Sequence, residues 1–207
     1  PMPQEVTTWQ ARPVTSTQLP SSGTALLDLD LSQAAGDSHS NSWPSITGNL
    51  RALVDTAARH RLFGDFQYTA APIPGNAEHI QILGSWQQDN IINIKIPQLI
   101  GRSIRGAPKD GMIQWHRLAA PQLLRLWAAW EQAGLLDRIH SWDGAFVPRF
   151  IRGSRTVLSN HAFGTAFDIN ASTNGLGKVP ALIGQNGCVR ELVTIANRCG
   201  FFWGCLL

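Results

Sequence analysis

The chain has 207 residues, 43% of them hydrophobic and only 15% charged, against a usual ~25% charged. That excludes a disordered or polyelectrolyte protein and suits one domain with a tail. Net charge is +3: residues 1–48 carry −3 (Arg12 against Glu5, Asp28, Asp30 and Asp37) and the remainder +6, a mild basicity that fits an anionic polymer surface and is too weak for nucleic acid. No apolar run approaches the ~20 residues of a membrane span, and Pro1-Met2-Pro3-Gln4-Glu5 carries no basic stretch followed by an apolar one, so no signal peptide is read there. The three Cys show no CxxC spacing. Cys188 and Cys199 on one predicted helix would lie ~16 Å apart, too far for a disulfide.

In chain order, residues 1–44 read as a linker or the end of an upstream region, because Ser, Thr, Pro and Gly dominate there. Within it, Leu26–Leu31 alternates well enough for one short strand. The domain spans 45–207. Ser45 or Thr47 is placed to cap a helix carrying Leu50, Leu53, Val54, Ala57 and Ala58, which ends before Gly64. Short β-type runs follow at Phe66–Thr69, His79–Leu83 and Ile91–Ile96, punctuated by Pro72, Pro74 and Gly75. Gly101–Gly111 is a loop whose basic residues, Arg102, Arg105 and Lys109, read as solvated surface.

The strongest helix is expected over His116–Ala133, with Leu123, Leu124, Trp127 and Trp130 as its stripe, Pro121 in its first turns and Gly134 as its cap. A second runs over Gly187–Arg198, stopped by Gly200. Between them, Ser141–Gly177 is rich in Gly, Asn, Ser and Arg and has little helical periodicity, the composition of a functional loop. The fold expected is α+β, a small, largely antiparallel sheet flanked by helices.

Inside that loop, His161 and Asp168 are both Zn²⁺-type donors. Seven residues apart they would sit ~23 Å from one another if extended and ~10 Å on a helix. A turn between them is needed, and Gly164 is placed to make it. Thr165–Asn170 then reads as a strand with Ala166, Asp168 and Asn170 on one face and Phe167 and Ile169 on the other. From spacing alone the pair is either a metal site, a His–Asp hydrogen bond or two surface residues. His116 and His140 read as structural, with His140 near the cleft; His39, His60 and His79 fall outside this region.

The string Ser159-Asn-His161-Ala-Phe-Gly164-Thr-Ala166-Phe-Asp168 matches Ser-x-His-x-x-Gly-x-Ala-x-Asp. It resembles the zinc D-alanyl-D-alanine carboxypeptidase family, which includes vancomycin-resistance-type carboxypeptidases and dipeptidases and phage L-alanyl-D-glutamate endopeptidase endolysins. Leu62–Tyr68, Pro72–Asn76 and Ile96–Leu99 upstream also look like segments of that family, so the resemblance spans roughly Leu50 to Gly204.

The resemblance implies a zinc peptidase-like fold with Zn²⁺ as cofactor, His161 and Asp168 as metal ligands, and Ser159 near the substrate's polar groups. It also implies an Arg that holds the scissile carbonyl oxygen: Arg149 as the catalytic candidate, with Arg152 as runner-up and substrate contact. The implied activity is hydrolysis of a peptide bond in bacterial peptidoglycan stem peptides, in the periplasm, at the cell wall, secreted or phage-delivered. The family's third ligand, a His three residues after an acidic base, follows an aromatic-Trp-Gly segment. Phe202-Trp203-Gly204 matches that segment, but no His lies between His161 and Leu207 and no Glu is placed as the base. The third ligand and base are therefore expected after Leu207, with Cys205 a weaker substitute. The alternative is a non-catalytic peptidoglycan-binding module with an incomplete metal site.

Overall fold

A computed structural model describes residues 8–11, 51–175 and 177–204. It shows a mixed α+β architecture with strands β1 (Thr8–Ala11), β2 (Gln67–Ala70), β3 (Ile80–Leu83), β4 (Ile91–Lys95), β5 (Met112–His116), β6 (Trp142–Gly144), β7 (Ala166–Ile169) and β8 (Phe201–Trp203). Its helices are α1 (Thr56–Phe63), α2 (Trp86–Asn90), α3 (Ala120–Gln132) and α4 (Arg190–Arg198). The main sheet has the order β6-β7-β1-β8, and β2-β3 and β4-β5 form separate pairs. Every named pairing is antiparallel, in line with the sequence. No helix among the described residues is long and apolar enough to cross a membrane.

The sheet is held by aromatic residues that its register aligns. Trp9 lies opposite Phe167 on one side and Trp203 on the other, and its ring stacks on both at 6.2 and 6.0 Å. Trp142 of β6 stacks on Phe167 at 5.6 Å. Helix α3 closes this face: Trp130 meets Trp9 edge-on at 5.3 Å and Trp127 packs on Phe167. Fully buried rings of this size carry much of a small domain's apolar stabilisation. Because side chains alternate along a strand, burying Phe167 and Ile169 on the helix side turns Asp168 to the opposite face.

The structure departs from the sequence reading in several places. Residues 8–11 lie at the centre of the sheet although they fall in the stretch read as linker; four residues among turn-formers give no usable periodicity. Helix α1 starts at Thr56, capped by the Asp55 carboxylate, which accepts from the Ala57 and Ala58 N–H groups. It faces the core through Arg59 and Phe63, while Val54 is exposed. Ser45, Thr47, the Leu26–Leu31 strand and Cys205 lie outside the described residues. His116 ends strand β5 instead of starting a helix. In α3 it is Leu126, not Leu124, that joins the buried stripe. Strands β6 and β8, three residues each, are too short to show an alternation.

His116 ties three elements together. Its N–H donates to the Gly164 carbonyl (2.8 Å), Nε2–H to the Phe63 carbonyl (3.1 Å), and Nδ1 accepts from the Leu118 N–H (3.2 Å). The ring is fully buried, and burial pushes its pKa down to about 4 from 6.5. The unfolded chain therefore binds a proton that the folded one refuses as pH falls from about 6.5 to about 4. Stability should decline by about 3 kcal/mol across that window. Urea unfolding at pH 7 and pH 4.5 measures this, and His116→Gln should flatten the profile. An equal slope in wild type and variant would contradict it.

Candidate metal centre

The motif folds as a tight 3₁₀ turn, Asn160–Phe163, between two capping residues. Ser159 is extended (φ −73°, ψ 152°), and its Oγ accepts from the His161 N–H at 3.1 Å. Gly164 closes the turn in the left-handed region (φ 64°), and its N–H donates to the His161 carbonyl at 3.0 Å. The chain then reverses into β7. A buried clamp from α1 fixes the turn: Arg59 Nε donates to Asn160 Oδ1 at 2.8 Å, and both side chains reach the Leu53 carbonyl. His161 and Asp168, seven residues apart in sequence, thereby meet with Nε2 and Oδ2 3.2 Å apart. His161 is buried, whereas the Asp168 side chain keeps 20% exposure, so the pair opens to solvent on the carboxylate side.

Gly164 is needed here on two grounds. A non-glycine residue in its left-handed conformation costs ~1–2 kcal/mol. A Cβ at this position would also lie 2.7 Å from Ile91 Cδ1 and 3.1 Å from the His116 N. Gly164→Val should destabilise the fold by more than about 2 kcal/mol as well as disturb the His161–Asp168 pair, since His116 is hydrogen-bonded to this turn. Chemical denaturation of the variant tests the point; wild-type stability would refute it.

The two arginines sit differently. Residues 148–150 pair antiparallel with residues 78–80, at the start of β3, on one side, where His79 faces Arg149, and with 157–159 on the other, where Phe150 faces Leu158 and the Ser159 N–H donates to the Arg149 carbonyl at 3.0 Å. Farther along, the Val147 N–H donates to the His161 carbonyl. Arg149 thus stands one strand from the motif, 7% exposed, with Nη1 on the Phe150 carbonyl at 3.0 Å. Arg152 lies farther out. Its Nη1 is 2.7 Å from Glu78 Oε2, and that carboxylate also accepts from the Gly153 N–H. The hydrogen bond from Arg152 holds the Glu78 carboxyl below its ordinary range, so Arg152 is matched to a permanent counter-charge. Ser159 is fully buried, and its visible duty is capping the turn that presents His161.

Asn170, expected on the polar face, leaves the strand in the left-handed region (φ 52°). Its Oδ1 accepts from the His140 and Ser141 N–H groups, and its Nδ2 donates to the Arg138 and Gly187 carbonyls, which staples the loop rather than lining a cleft. His140 Nε2 lies 3.1 Å from the Asp137 carbonyl, a structural contact. Three residues that sequence reasoning did not select belong to the site's surroundings: Arg59 and Asn160, which clamp the turn, and His79. No spacing pattern signals Arg59 and His79, which packing and pairing bring in across many residues, and Asn160 stands in the motif at a position its pattern leaves open.

The donor set fits a cation in part. His161 Nδ1 is 2.6 Å from the Ala145 carbonyl, which only accepts, so Nδ1 carries a proton and Nε2 points at Asp168. Two ligands of one tetrahedral Zn²⁺ with ~2.1 Å bonds stand ~3.4 Å apart, close to the 3.2 Å seen here. The carbonyl behind the imidazole is the usual partner that fixes a metal-binding histidine. An imidazolium–carboxylate pair satisfies the same geometry. Among the described residues no group of three or more His, Cys, Asp or Glu forms a metal site, so two donors are present and a third is not.

Residues 152–205, roughly a quarter of the chain, match a family model described as D-alanyl-D-alanine carboxypeptidase. The stretch contains Ser159, His161, Gly164, Asp168 and Trp203-Gly204, and bears out the resemblance read from the motif. Arg149 and the upstream segments lie outside it. No curated protein and no solved structure matches the chain.

Proposed function

We propose that the chain is a zinc peptidase-like domain that hydrolyses a peptide bond in peptidoglycan stem peptides, acting outside the cytoplasm or at the cell wall. The observation that carries this reading is the convergence of His161 Nε2 and Asp168 Oδ2 to 3.2 Å inside the stretch matched by the carboxypeptidase family model. A bound Zn²⁺ supplies Lewis acidity toward the scissile carbonyl and toward water. In this reading Ala145 orients the imidazole, Ser159 and Gly164 hold the turn, and Arg149, whose carbonyl accepts from the Ser159 N–H, is the cation for a developing oxyanion.

The register also brings the end of β8 alongside the pair. Phe167 and Trp203 both face Trp9, so the residue after Trp203 comes level with Asp168 two strands away, ~10 Å.

Purified protein with Zn²⁺ and synthetic stem peptides, read by mass spectrometry, tests the reading. Release of terminal D-Ala identifies a carboxypeptidase, and cleavage after L-Ala an endopeptidase. Saturable binding to cell-wall fragments, without cleavage of either peptide, would overturn hydrolysis in favour of the binding-module reading, which the two-donor site also accommodates.

A further inference from the structure

We infer that His79 is a substrate-binding residue of this site, its Nε2 accepting a backbone N–H of the peptide whose carbonyl lies at Arg149; the inference rests on the peptidase reading above. His79 comes to the motif only through the fold. The Ile80 N–H donates to the Pro148 carbonyl and the Phe150 N–H to the Glu78 carbonyl. These bonds flank His79 and Arg149 and make them a directly opposed, non-hydrogen-bonded pair. Such pairs carry their side chains on the same face with Cβ atoms ~4.5–5.5 Å apart.

The next strand continues the row, since the Ser159 N–H on the Arg149 carbonyl brings Ser159 opposite Arg149. His79, Arg149 and Ser159 therefore cross three strands side by side and lead to His161. The opposite face, through Ile80, Phe150 and Leu158, is core. Burial deepens along the row. Gln81, next on the same face of β3, is exposed, and His79 is half-buried. Arg149 is 7% and Ser159 0% exposed. This is the profile of a floor descending from the surface to the motif.

The ring of His79 is already oriented. Nδ1 lies 2.8 Å from the Ala71 carbonyl, which only accepts, so this bond selects the tautomer with the proton on Nδ1 and Nε2 as the acceptor. Nε2 has no hydrogen-bond partner among the described residues. Adjacent polar groups of an extended peptide repeat every ~3.3 Å, a spacing that a cation and an acceptor on neighbouring strands can serve together.

Two variants separate this role from a structural one. In His79→Asn the side-chain amide takes the place of Nδ1 and can keep the Ala71 bond, but nothing stands at Nε2. In His79→Gln the amide oxygen reaches the place of Nε2 and the Ala71 bond is lost. Hydrolysis and direct titration with the stem peptide are measured for both, with thermal unfolding and zinc content as controls. The expected result is a five- to tenfold rise in KM and Kd for His79→Asn, with kcat, thermal stability and zinc content little changed, and recovery in His79→Gln. The opposite ranking, or a wild-type KM and Kd in His79→Asn, overturns the inference and leaves the peptidase reading standing. Binding that weakens in His79→Asn without hydrolysis by wild type supports the inference and overturns the peptidase reading. A wild-type chain that neither cleaves nor binds the peptide overturns both.

Discussion

Replacing His161 or Asp168 by Ala is expected to remove zinc-dependent hydrolysis, by about three orders of magnitude or more, since a Lewis-acid metal supplies several kcal/mol of transition-state stabilisation and each 1.36 kcal/mol is tenfold. The two residues are donors of the metal type that the fold brings to 3.2 Å from one another inside the motif. Removing either leaves a single donor in the described part of the site, and zinc content measured on the purified variants should fall with activity. His161→Ala also empties a buried position and releases the Ala145 carbonyl, so a loss of fold must be distinguished from a loss of metal. Asp168→Asn serves that purpose. Its side chain is partly exposed, its size is kept, and its backbone stays in the ladder between β1 and β6. Near-native thermal unfolding with lost zinc is the expected signature. Unchanged zinc stoichiometry in both His161→Ala and Asp168→Asn would refute a metal role for the pair and leave an imidazolium–carboxylate bridge.

The part of this site legible in the sequence is the part made of local contacts. The need for a turn between His161 and Asp168 follows from chain geometry, and Gly164 makes that turn at φ 64°. The strand after it, with Phe167 and Ile169 turned inward, follows from alternation. What was not legible depends on partners distant in sequence. Strand β1 is four residues long, and it is defined by Trp9 lying between Phe167 and Trp203, which no local pattern encodes. An apolar stripe is the expectation for helix α1, but one of its two inward residues, Arg59, is polar and holds Asn160, 101 positions away. Asn170 was placed on the polar face by strict alternation, and the chain breaks that alternation by entering the left-handed region. His79 lies 82 residues before His161 in sequence; the pairing of residues 78–80 with 148–150 brings it next to Arg149.

Arg149→Ala should lower kcat/KM by ~10²–10³-fold with zinc retained, the usual cost of deleting one oxyanion donor, whereas Arg152→Ala should cost much less. The ranking follows from where each guanidinium stands relative to the motif and to solvent. Arg152 is half-exposed and in a 2.7 Å pair with Glu78, whose carboxyl its hydrogen bond keeps ionised below the ordinary range. Its positive charge is met by a permanent negative one, and an exposed pair of this kind contributes little elsewhere. Arg149 is buried in the middle of the row, and its carbonyl accepts from the N–H of Ser159, two residues before His161. A cation in such a poorly solvated place acts on nearby charge more strongly than one in water. Arg149→Lys should recover only part of the rate, because an ammonium keeps the charge but not the planar fork. Steady-state kinetics on a stem peptide, with zinc content measured for every variant, checks the series. A larger loss in Arg152→Ala than in Arg149→Ala would move the oxyanion role to Arg152 and require the Glu78 pair to open when substrate binds.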